Sequence, residues 1–146
     1  NEARIIRTAR EVNDHKPEWV LDKVKAAIAD CLARKPGSTM ADIKVACLGL
    51  AFKPDIDDLR ESPAVEITQH ITQLGCQVLA VEPNIETLPE KLGKANLLLS
   101  SLTDVLSTAD VLCLLVKHRE FVEGRGSIAS HSKVVDSVGL LSWSFI

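Results

Sequence analysis

The chain has 146 residues, of which 46% are hydrophobic and 25% charged, the proportions of one ordinary globular domain. Its formal net charge of −3 provides no basic surface for nucleic acid or an anionic membrane. No apolar run approaches the ~20 residues of a membrane-spanning helix, so we expect neither a nucleic-acid nor a membrane partner.

The first part of the chain, from about residue 4 to residue 33, predicts a long helix. Apolar residues recur from Ile5 to Leu32 at the three-to-four spacing of one helix face. Pro17 interrupts the pattern, so the segment forms either two helices or one kinked helix. Residues 34–39 contain Pro36 and Gly37 and predict a helix end and a linker. The apolar face either packs on the following domain or serves as a connector or subunit contact in a longer protein.

Beyond the linker, short apolar segments alternate with helical ones. Strands are predicted at residues 43–48, 76–81, 96–99, 111–116 and 133–136, and helices at residues 63–74, 102–109 and 119–122. This alternation is typical of a parallel sheet covered on both faces. The predicted fold class is therefore α/β, a doubly wound Rossmann-like parallel sheet of about five strands preceded by a long helix.

Right-handed crossovers restrict how these strands can be ordered. The simplest winding starts at the first strand, moves outward through the second and third, and returns to the other side of the first. Strands 43–48 and 111–116 then become neighbours at the switch point, and ligands of open α/β sheets bind beyond the carboxyl ends of such strands. Loops 49–62 and 117–120 are therefore predicted to form the binding site.

The loop from Gly49 to Ser62 carries the strongest chemical signal. It is much longer than the two to six residues of a common strand-to-helix connection, which indicates function. It lacks the Gly-x-Gly-x-x-Gly turn of a dinucleotide site. Instead it carries two cations, Lys53 and Arg60, close to a helix start where Ser62 is a suitable N-cap and Pro63 a suitable first residue. Cations beside a helix N-terminus predict an anion site, with a solvated loop of internal salt bridges as the alternative.

Three aspartates in the same loop, Asp55, Asp57 and Asp58, argue against a simple phosphate cradle. They are expected to hold the cations in place or to bond ribose hydroxyls. A competing interpretation is a non-enzymatic receiver- or flavodoxin-like switch domain in which the three carboxylates hold magnesium. A free-standing nucleotide-binding module is a further alternative.

The four cysteines are widely spaced and form no Cys-x-x-Cys pair, and no histidine lies near a cysteine pair. We therefore expect no zinc site or other metal site. Cys47 and Cys113 fall inside apolar strand-like runs, where cysteine behaves as a small buried hydrophobe. Reduced structural thiols of this kind, and a start that does not resemble a signal peptide, predict a cytoplasmic protein.

The long loop resembles the signature of the UDP-glucose/GDP-mannose dehydrogenase family. The resemblance lies in Gly49-Leu50-Ala51-Phe52-Lys53-Pro54 and in Asp57-Asp58-Leu59-Arg60-Glu61-Ser62-Pro63. It continues outside the loop, and thus covers nearly the whole chain, through Ala9-Arg10-Glu11-Val12-Asn13-Asp14, Val81-Glu82-Pro83-Asn84, Ala109-Asp110-Val111-Leu112 and Val134-Val135-Asp136.

The resemblance implies part of an NAD-dependent UDP-sugar 6-dehydrogenase, an enzyme that oxidises a sugar C6 alcohol to a uronic acid in two steps. Within the family, the resemblance is closest to members that act on UDP-N-acetylmannosamine. Residues 1–36 match the end of the central dimerisation helix and a linker, and residues 37–146 match the UDP-sugar-binding carboxy-terminal domain. The implied partners are a UDP-sugar, an amino-terminal NAD domain outside this sequence, and a second subunit joined through the central helix.

The resemblance also assigns individual residues. Phe52 and Lys53 match substrate-binding positions, with Lys53 on the diphosphate, and Arg60 matches the arginine that reaches NAD across the domain cleft. No residue matches the family's catalytic cysteine or lysine, so this chain alone is expected to be inactive. Val138 occupies a position that is usually basic and helps to bind substrate, just before the glycine matched by Gly139.

Four other residues are given structural or surface roles. His118, at the predicted switch point, either touches the nucleotide or supports the strand end, and the structural role is favoured. Asp104 and Asp110 flank a helix and are expected to be solvated. Trp19 is expected to pack against domains that lie outside this sequence.

Overall fold

The computed structural model describes residues 2–51, 53–55, 58–60, 62–88, 92 and 97–141, with side chains from Pro17 onward. Within these residues, five strands form one sheet: β1 (Lys44–Leu48), β2 (Gln77–Val81), β3 (Leu97–Leu99), β4 (Val111–Leu114) and β5 (Val134–Asp136). The helices are α1 (Glu2–Arg34), α2 (Pro63–Thr72), α3 (Leu102–Thr108), α4 (Arg119–Glu123) and α5 (Arg125–Ala129), with a 3₁₀ turn at Met40–Asp42.

All strand pairings are parallel, and the strand order is β3-β2-β1-β4-β5. This order confirms the predicted Rossmann-like winding, with β1 and β4 as neighbours at the switch point. Receiver and flavodoxin-like domains instead place their first strand between the second and the third. The strand order therefore contradicts the receiver- or flavodoxin-like alternative.

Each face of the sheet has its own apolar layer. One layer joins α1 and α2 to the sheet, and the other joins α3, α4 and α5 to the opposite face. Because side chains alternate along a strand, β1 sends Val45 and Cys47 into the first layer and Ala46 and Leu48 into the second. Both faces are thus covered, which explains why the strands are almost continuously apolar. The cysteines, all buried free thiols, are Cys31, Cys47, Cys76 and Cys113.

Helix α1 runs unbroken through Pro17, so the segment is one helix and not two. Its inner face, formed by Val20, Val24, Ile28 and Cys31, is buried in the first apolar layer. The second half of the helix therefore packs on the domain that follows it. Trp19 lies on the other side, 46% exposed, with the Nζ of Lys23 5.8 Å from its ring centroid. No described helix has both the length and the hydrophobicity needed to cross a membrane.

Asp110 is not a solvated surface residue, which corrects the expectation from sequence, whereas Asp104 is exposed as expected. The Oδ1 atom of Asp110 accepts a hydrogen bond from Lys35 Nζ at 2.9 Å, and its Oδ2 accepts one from the backbone N–H of Lys44 at 2.9 Å. Partial burial would raise the pKa of Asp110, but these two donors outweigh it and lower the pKa. Asp110 therefore ties the end of α1 to the start of β1, a role visible only when residues distant in sequence meet.

Two elements differ from the predicted ones. Strand β4 stops at Leu114 because the N–H groups of Leu115 and Val116 both donate to the carbonyl of Leu48, at 3.0 and 3.2 Å, which turns the chain. Helix α5 was not predicted, since its sequence Arg-Gly-Ser-Ile-Ala has weak helical propensity. It is stabilised instead by burial of Ile128 in the second apolar layer.

Candidate functional site

The candidate site begins where β1 ends and the chain turns into the long loop. Gly49 makes this turn with a φ of 101°, a backbone conformation that favours glycine. Its N–H donates to the carbonyl of Val81 at 2.8 Å, which continues the β1–β2 ladder by one residue. A Cβ atom on Gly49 would lie 2.5 Å from the Cβ of Val116, so the start of the long loop passes the residue just before the second predicted loop at contact distance. Only glycine allows this approach.

Glu82, the residue directly after β2, organises the start of the long loop. Its carboxylate is fully buried. The Oε1 atom accepts hydrogen bonds from the backbone N–H groups of Leu50 and Ala51, at 2.9 Å each, and lies 2.7 Å from Nε2 of His118. The Oε2 atom accepts from the backbone and side-chain nitrogens of Asn84, both at 3.1 Å. Five hydrogen bonds therefore satisfy one buried carboxylate, a condition that buried charge requires.

These contacts decide the ionisation of Glu82. Burial by itself would raise the pKa of the carboxyl group, because a low-dielectric environment disfavours the charged form. The hydrogen bonds from His118, Leu50 and Asn84 outweigh burial and hold the pKa of Glu82 at about 2, below its ordinary value of 4.5. Glu82 is therefore a permanent carboxylate near neutral pH.

The depressed pKa of Glu82 predicts a specific loss of stability in acid. A carboxyl whose pKa is lower in the folded state stabilises the fold fully above its unfolded pKa and loses that contribution as pH falls through the folded pKa. Between pH 4.5 and pH 2, this group should remove on the order of 3 kcal/mol from the free energy of unfolding. Urea unfolding of the wild type and of Glu82→Gln across this range measures the effect. The Gln variant should show a shallower pH dependence, and identical slopes would contradict the assignment.

His118 follows β4 across the switch point and is completely buried. Its Nδ1 atom accepts the backbone N–H of Asp55 at 2.8 Å, so the ring proton is assigned to Nε2, which donates to Glu82. The ring also packs against Phe121, with centroids 5.5 Å apart. Both ring nitrogens are thus engaged by groups of the protein, which supports the favoured structural role of His118.

Asp55 fastens the other side of this arrangement. It has a left-handed φ of 62°, which aspartate tolerates better than most residues. Its Oδ1 atom accepts the backbone N–H of Arg119 at 2.7 Å, the first residue of α4. Asp55 thus connects the long loop to the second predicted loop through its backbone and its side chain.

The two predicted cations lie at different places along the long loop. Lys53 is exposed and stands between the anchored residues Ala51 and Asp55. Arg60 lies further along, with a side chain that is 89% exposed. Its Nε and Nη2 atoms each donate to Asp58 at 3.1 Å, and its backbone N–H donates to the same carboxylate at 3.0 Å. Asp58 therefore holds Arg60, as expected for an aspartate of this loop.

Two other residues predicted to matter in the long loop, Phe52 and Asp57, lie outside the described residues. Hydrogen bonds from Arg60 outweigh slight desolvation and lower the pKa of Asp58. Within the described part of the chain, no group of three or more possible ligands could hold a metal ion.

The start of α2 follows prediction in position but not in bonding. Ser62 occupies the N-cap with an extended backbone, and Pro63 is the first helical residue. The hydroxyl of Ser62 makes no capping hydrogen bond, and its Oγ is buried without a partner among the described residues. Ser62 therefore does not cap the first N–H groups of α2 with its side chain.

The geometry is that of an α/β domain with a buried Glu82–His118 pair beneath a long loop at its switch point, and comparison with known proteins identifies the family. Residues 46–142 match the UDP binding domain of the UDP-glucose/GDP-mannose dehydrogenase family. The chain belongs to this family. The resemblance read from the loop signature is thereby confirmed.

Relatives in this family are similar over most of the chain. The UDP-N-acetyl-D-mannosamine dehydrogenase of Escherichia coli (strain K12) is 54% identical over 141 residues, which cover 95% of this chain and 33% of that protein. The protein of the same name from Campylobacter jejuni is 53% identical over 125 residues, covering 84% of this chain and 28% of that protein. This chain spans about a third of the length of the curated relatives it matches.

A solved structure in the family has the same fold. The native UDP-N-acetyl-mannosamine dehydrogenase of Staphylococcus aureus superposes with a TM-score of 0.62 at 25% identity, covering 97% of this chain and 31% of that chain. The superposition extends over nearly the whole chain, so α1 as well as the sheet has a counterpart in that enzyme.

The carboxy-terminal turn contains the departure from the family pattern noted at Val138. This turn is organised by Asp136, whose carboxylate accepts the backbone N–H groups of Val138, Leu140 and Leu141 at 3.2, 3.1 and 2.8 Å. The side chain of Val138 packs against the second apolar layer. An apolar residue at this position is therefore used for packing.

Sequence reasoning missed Glu82 and Asp136 as organising residues. Both are acids that come at the carboxyl end of a strand, Glu82 directly after β2 and Asp136 as the last residue of β5. That position was the available signal, because carboxylates at strand ends can accept backbone N–H groups of the loops above the sheet.

Proposed function

We propose that this chain is the UDP-sugar-binding carboxy-terminal domain of an NAD-dependent UDP-sugar 6-dehydrogenase. The observation that carries the proposal is the match of residues 46–142 to the family's UDP binding domain, combined with a long loop that presents Lys53 at the switch point of the sheet. That edge of an open α/β sheet is where ligands bind.

Lys53 and Phe52 are the proposed substrate contacts. Lys53 is exposed at the carboxyl end of β1, where its ammonium group can offset the charge of a diphosphate. Phe52, its neighbour in sequence, is assigned to the same ligand by the loop signature. The identity to the Escherichia coli enzyme favours UDP-N-acetylmannosamine as the sugar nucleotide.

Arg60 is the proposed contact to NAD, from the side of this domain that would face an NAD-binding domain. Its guanidinium is exposed and oriented by Asp58 through two parallel hydrogen bonds. This pre-set orientation reduces the conformational entropy that Arg60 would lose on meeting an anionic cofactor.

The proposed division of the chain is residues 1–36 as the end of the central dimerisation helix with its linker, and residues 37–146 as the UDP-sugar domain. In the whole enzyme, two NAD-dependent oxidations in the cytoplasm would convert the sugar C6 alcohol to a uronic acid. This uronic acid would be used for surface polysaccharide. Since no residue matches the catalytic cysteine or lysine, the chain alone should bind UDP weakly and oxidise nothing.

Removal of the Lys53 charge tests this function. Isothermal titration calorimetry with UDP should show a Kd about 10- to 100-fold weaker for Lys53→Ala than for the wild type, the loss expected for one charge-assisted contact. Lys25→Ala, an exposed lysine of α1, is the matched control and should bind as the wild type does. Equal binding by Lys53→Ala and the wild type, or no binding by the wild type at high concentration, would remove the support for the proposal.

A further inference from the structure

One buried pair of side chains holds both ends of the segment that carries Lys53. At the first end, Leu50 and Ala51 donate their backbone N–H groups to Oε1 of Glu82. At the second end, Asp55 donates its backbone N–H to Nδ1 of His118. Glu82 and His118 are themselves joined at 2.7 Å, so Ala51 and Asp55, on the two sides of Lys53, are attached to one connected pair of side chains.

This pair is built from groups that cannot easily rearrange. The side chains of Glu82 and His118 are both 0% exposed, so water does not compete for their hydrogen bonds. Glu82 follows β2 and His118 follows β4, the two strands that flank β1. The loop that leaves β1 is therefore held by residues that follow both neighbouring strands.

The far end of the segment depends on His118 more than on any local preference. Asp55 has a left-handed backbone, which costs free energy for a residue with a Cβ. Its N–H bond to His118 and its carboxylate bond to Arg119 offset that cost. Without the acceptor on His118, the left-handed turn at Asp55 loses one of its two attachments.

We infer that His118 is a positioning residue of the nucleotide site, which holds the Lys53 segment in its binding conformation by accepting the Asp55 amide while Glu82 holds the imidazole in place. The inference rests on the proposed function, since it assigns a role toward the same ligand. His118 does not touch the ligand. It acts by reducing the number of loop conformations that must be lost when UDP binds.

Two substitutions divide the contacts of His118 between them. In His118→Asn, the side-chain Oδ1 can occupy the place of Nδ1 and accept the Asp55 amide, but the donor to Glu82 is lost. In His118→Gln, the longer amide can donate to Glu82, but no acceptor remains for Asp55. The two variants therefore separate the contact of residue 118 with the Asp55 amide from its contact with Glu82.

The test measures two quantities on the intact chain: hydrogen exchange of the Asp55 amide without ligand, and the Kd for UDP. For His118→Gln we expect Asp55 exchange and the Kd each to rise about three- to tenfold, the value of one net hydrogen bond. His118→Asn should stay close to the wild type in both. Thermal unfolding of each variant provides the stability against which these changes are compared.

Two results would overturn the inference. One is a His118→Gln variant that binds UDP and protects the Asp55 amide as the wild type does. The other is weakening in both variants in proportion to their loss of stability, which is the behaviour of a purely structural residue. If the wild type itself does not bind UDP, the proposed function fails, whereas the exchange of the Asp55 amide still decides whether His118 holds the loop.

Discussion

Glu82→Ala should lower the free energy of unfolding by about 3 to 5 kcal/mol, the cost of breaking a buried charged network by removing one partner. The N–H groups of Leu50 and Ala51 and the Nε2–H of His118 would each lose their acceptor inside the protein. Each unsatisfied buried donor costs about 1 to 3 kcal/mol, and partial entry of water keeps the sum below the simple total.

Chemical unfolding monitored by circular dichroism measures the effect of Glu82→Ala. Glu86→Ala is the matched control, because Glu86 is an exposed carboxylate in the same segment after β2 and should change stability by less than about 0.5 kcal/mol. A loss below about 1 kcal/mol for Glu82→Ala would mean that the hydrogen bonds from Leu50 and Ala51 to Glu82 do not anchor the loop.

Gly49→Ala should lower the free energy of unfolding by about 2 to 6 kcal/mol. A positive φ costs a residue other than glycine about 1 to 3 kcal/mol. Overpacking of a tight site by an added methyl group costs about 1 to 3 kcal/mol more. Both costs apply, because Gly49 has a φ of 101° and its new methyl group would lie 2.5 Å from Val116 Cβ and 3.0 Å from Val116 N. A backbone atom cannot move aside as the end of a flexible side chain can.

Two other glycines separate the strain from the collision. Gly37 has a φ of 88° with nothing within 4 Å of a Cβ, so Gly37→Ala should show the conformational cost alone. Gly126 has open space and lies in α5, where alanine should stabilise by about 0.5 to 1 kcal/mol. If Gly49→Ala were no more harmful than Gly37→Ala, the close approach of Gly49 and Val116 would be contradicted.

Prediction of the sheet from sequence succeeded because its signal is local and repeated. Each strand is a short apolar run bounded by helix or turn residues, and right-handed crossovers leave few orders for five such strands. The switch point was also placed correctly at the ends of β1 and β4, since its position follows from strand order alone.

Side-chain partners were predicted less well, and Asp110 and His118 show why. Asp110 was expected to be solvated because it flanks a helix, yet Lys35 and Lys44, both more than 60 residues away in sequence, bring it their donors. His118 and Glu82 are 36 residues apart and follow β4 and β2, two strands separated by β1. These long-range side-chain contacts depend on how the strands are aligned in the sheet. That alignment cannot be predicted from the identity of a single residue.

By itself, the amino-acid sequence determined the order of the strands and of the helices other than α5, the long loop with Lys53 and Arg60, and membership of the family whose signature that loop carries. These features depend on neighbouring residues and on a periodicity that the chain repeats. Only the tertiary structure decided that Glu82 and His118 hold the two ends of the Lys53 segment. A buried carboxylate can be paired only by donors that the packed sheet brings within hydrogen-bond distance, because no local stretch of chain supplies them.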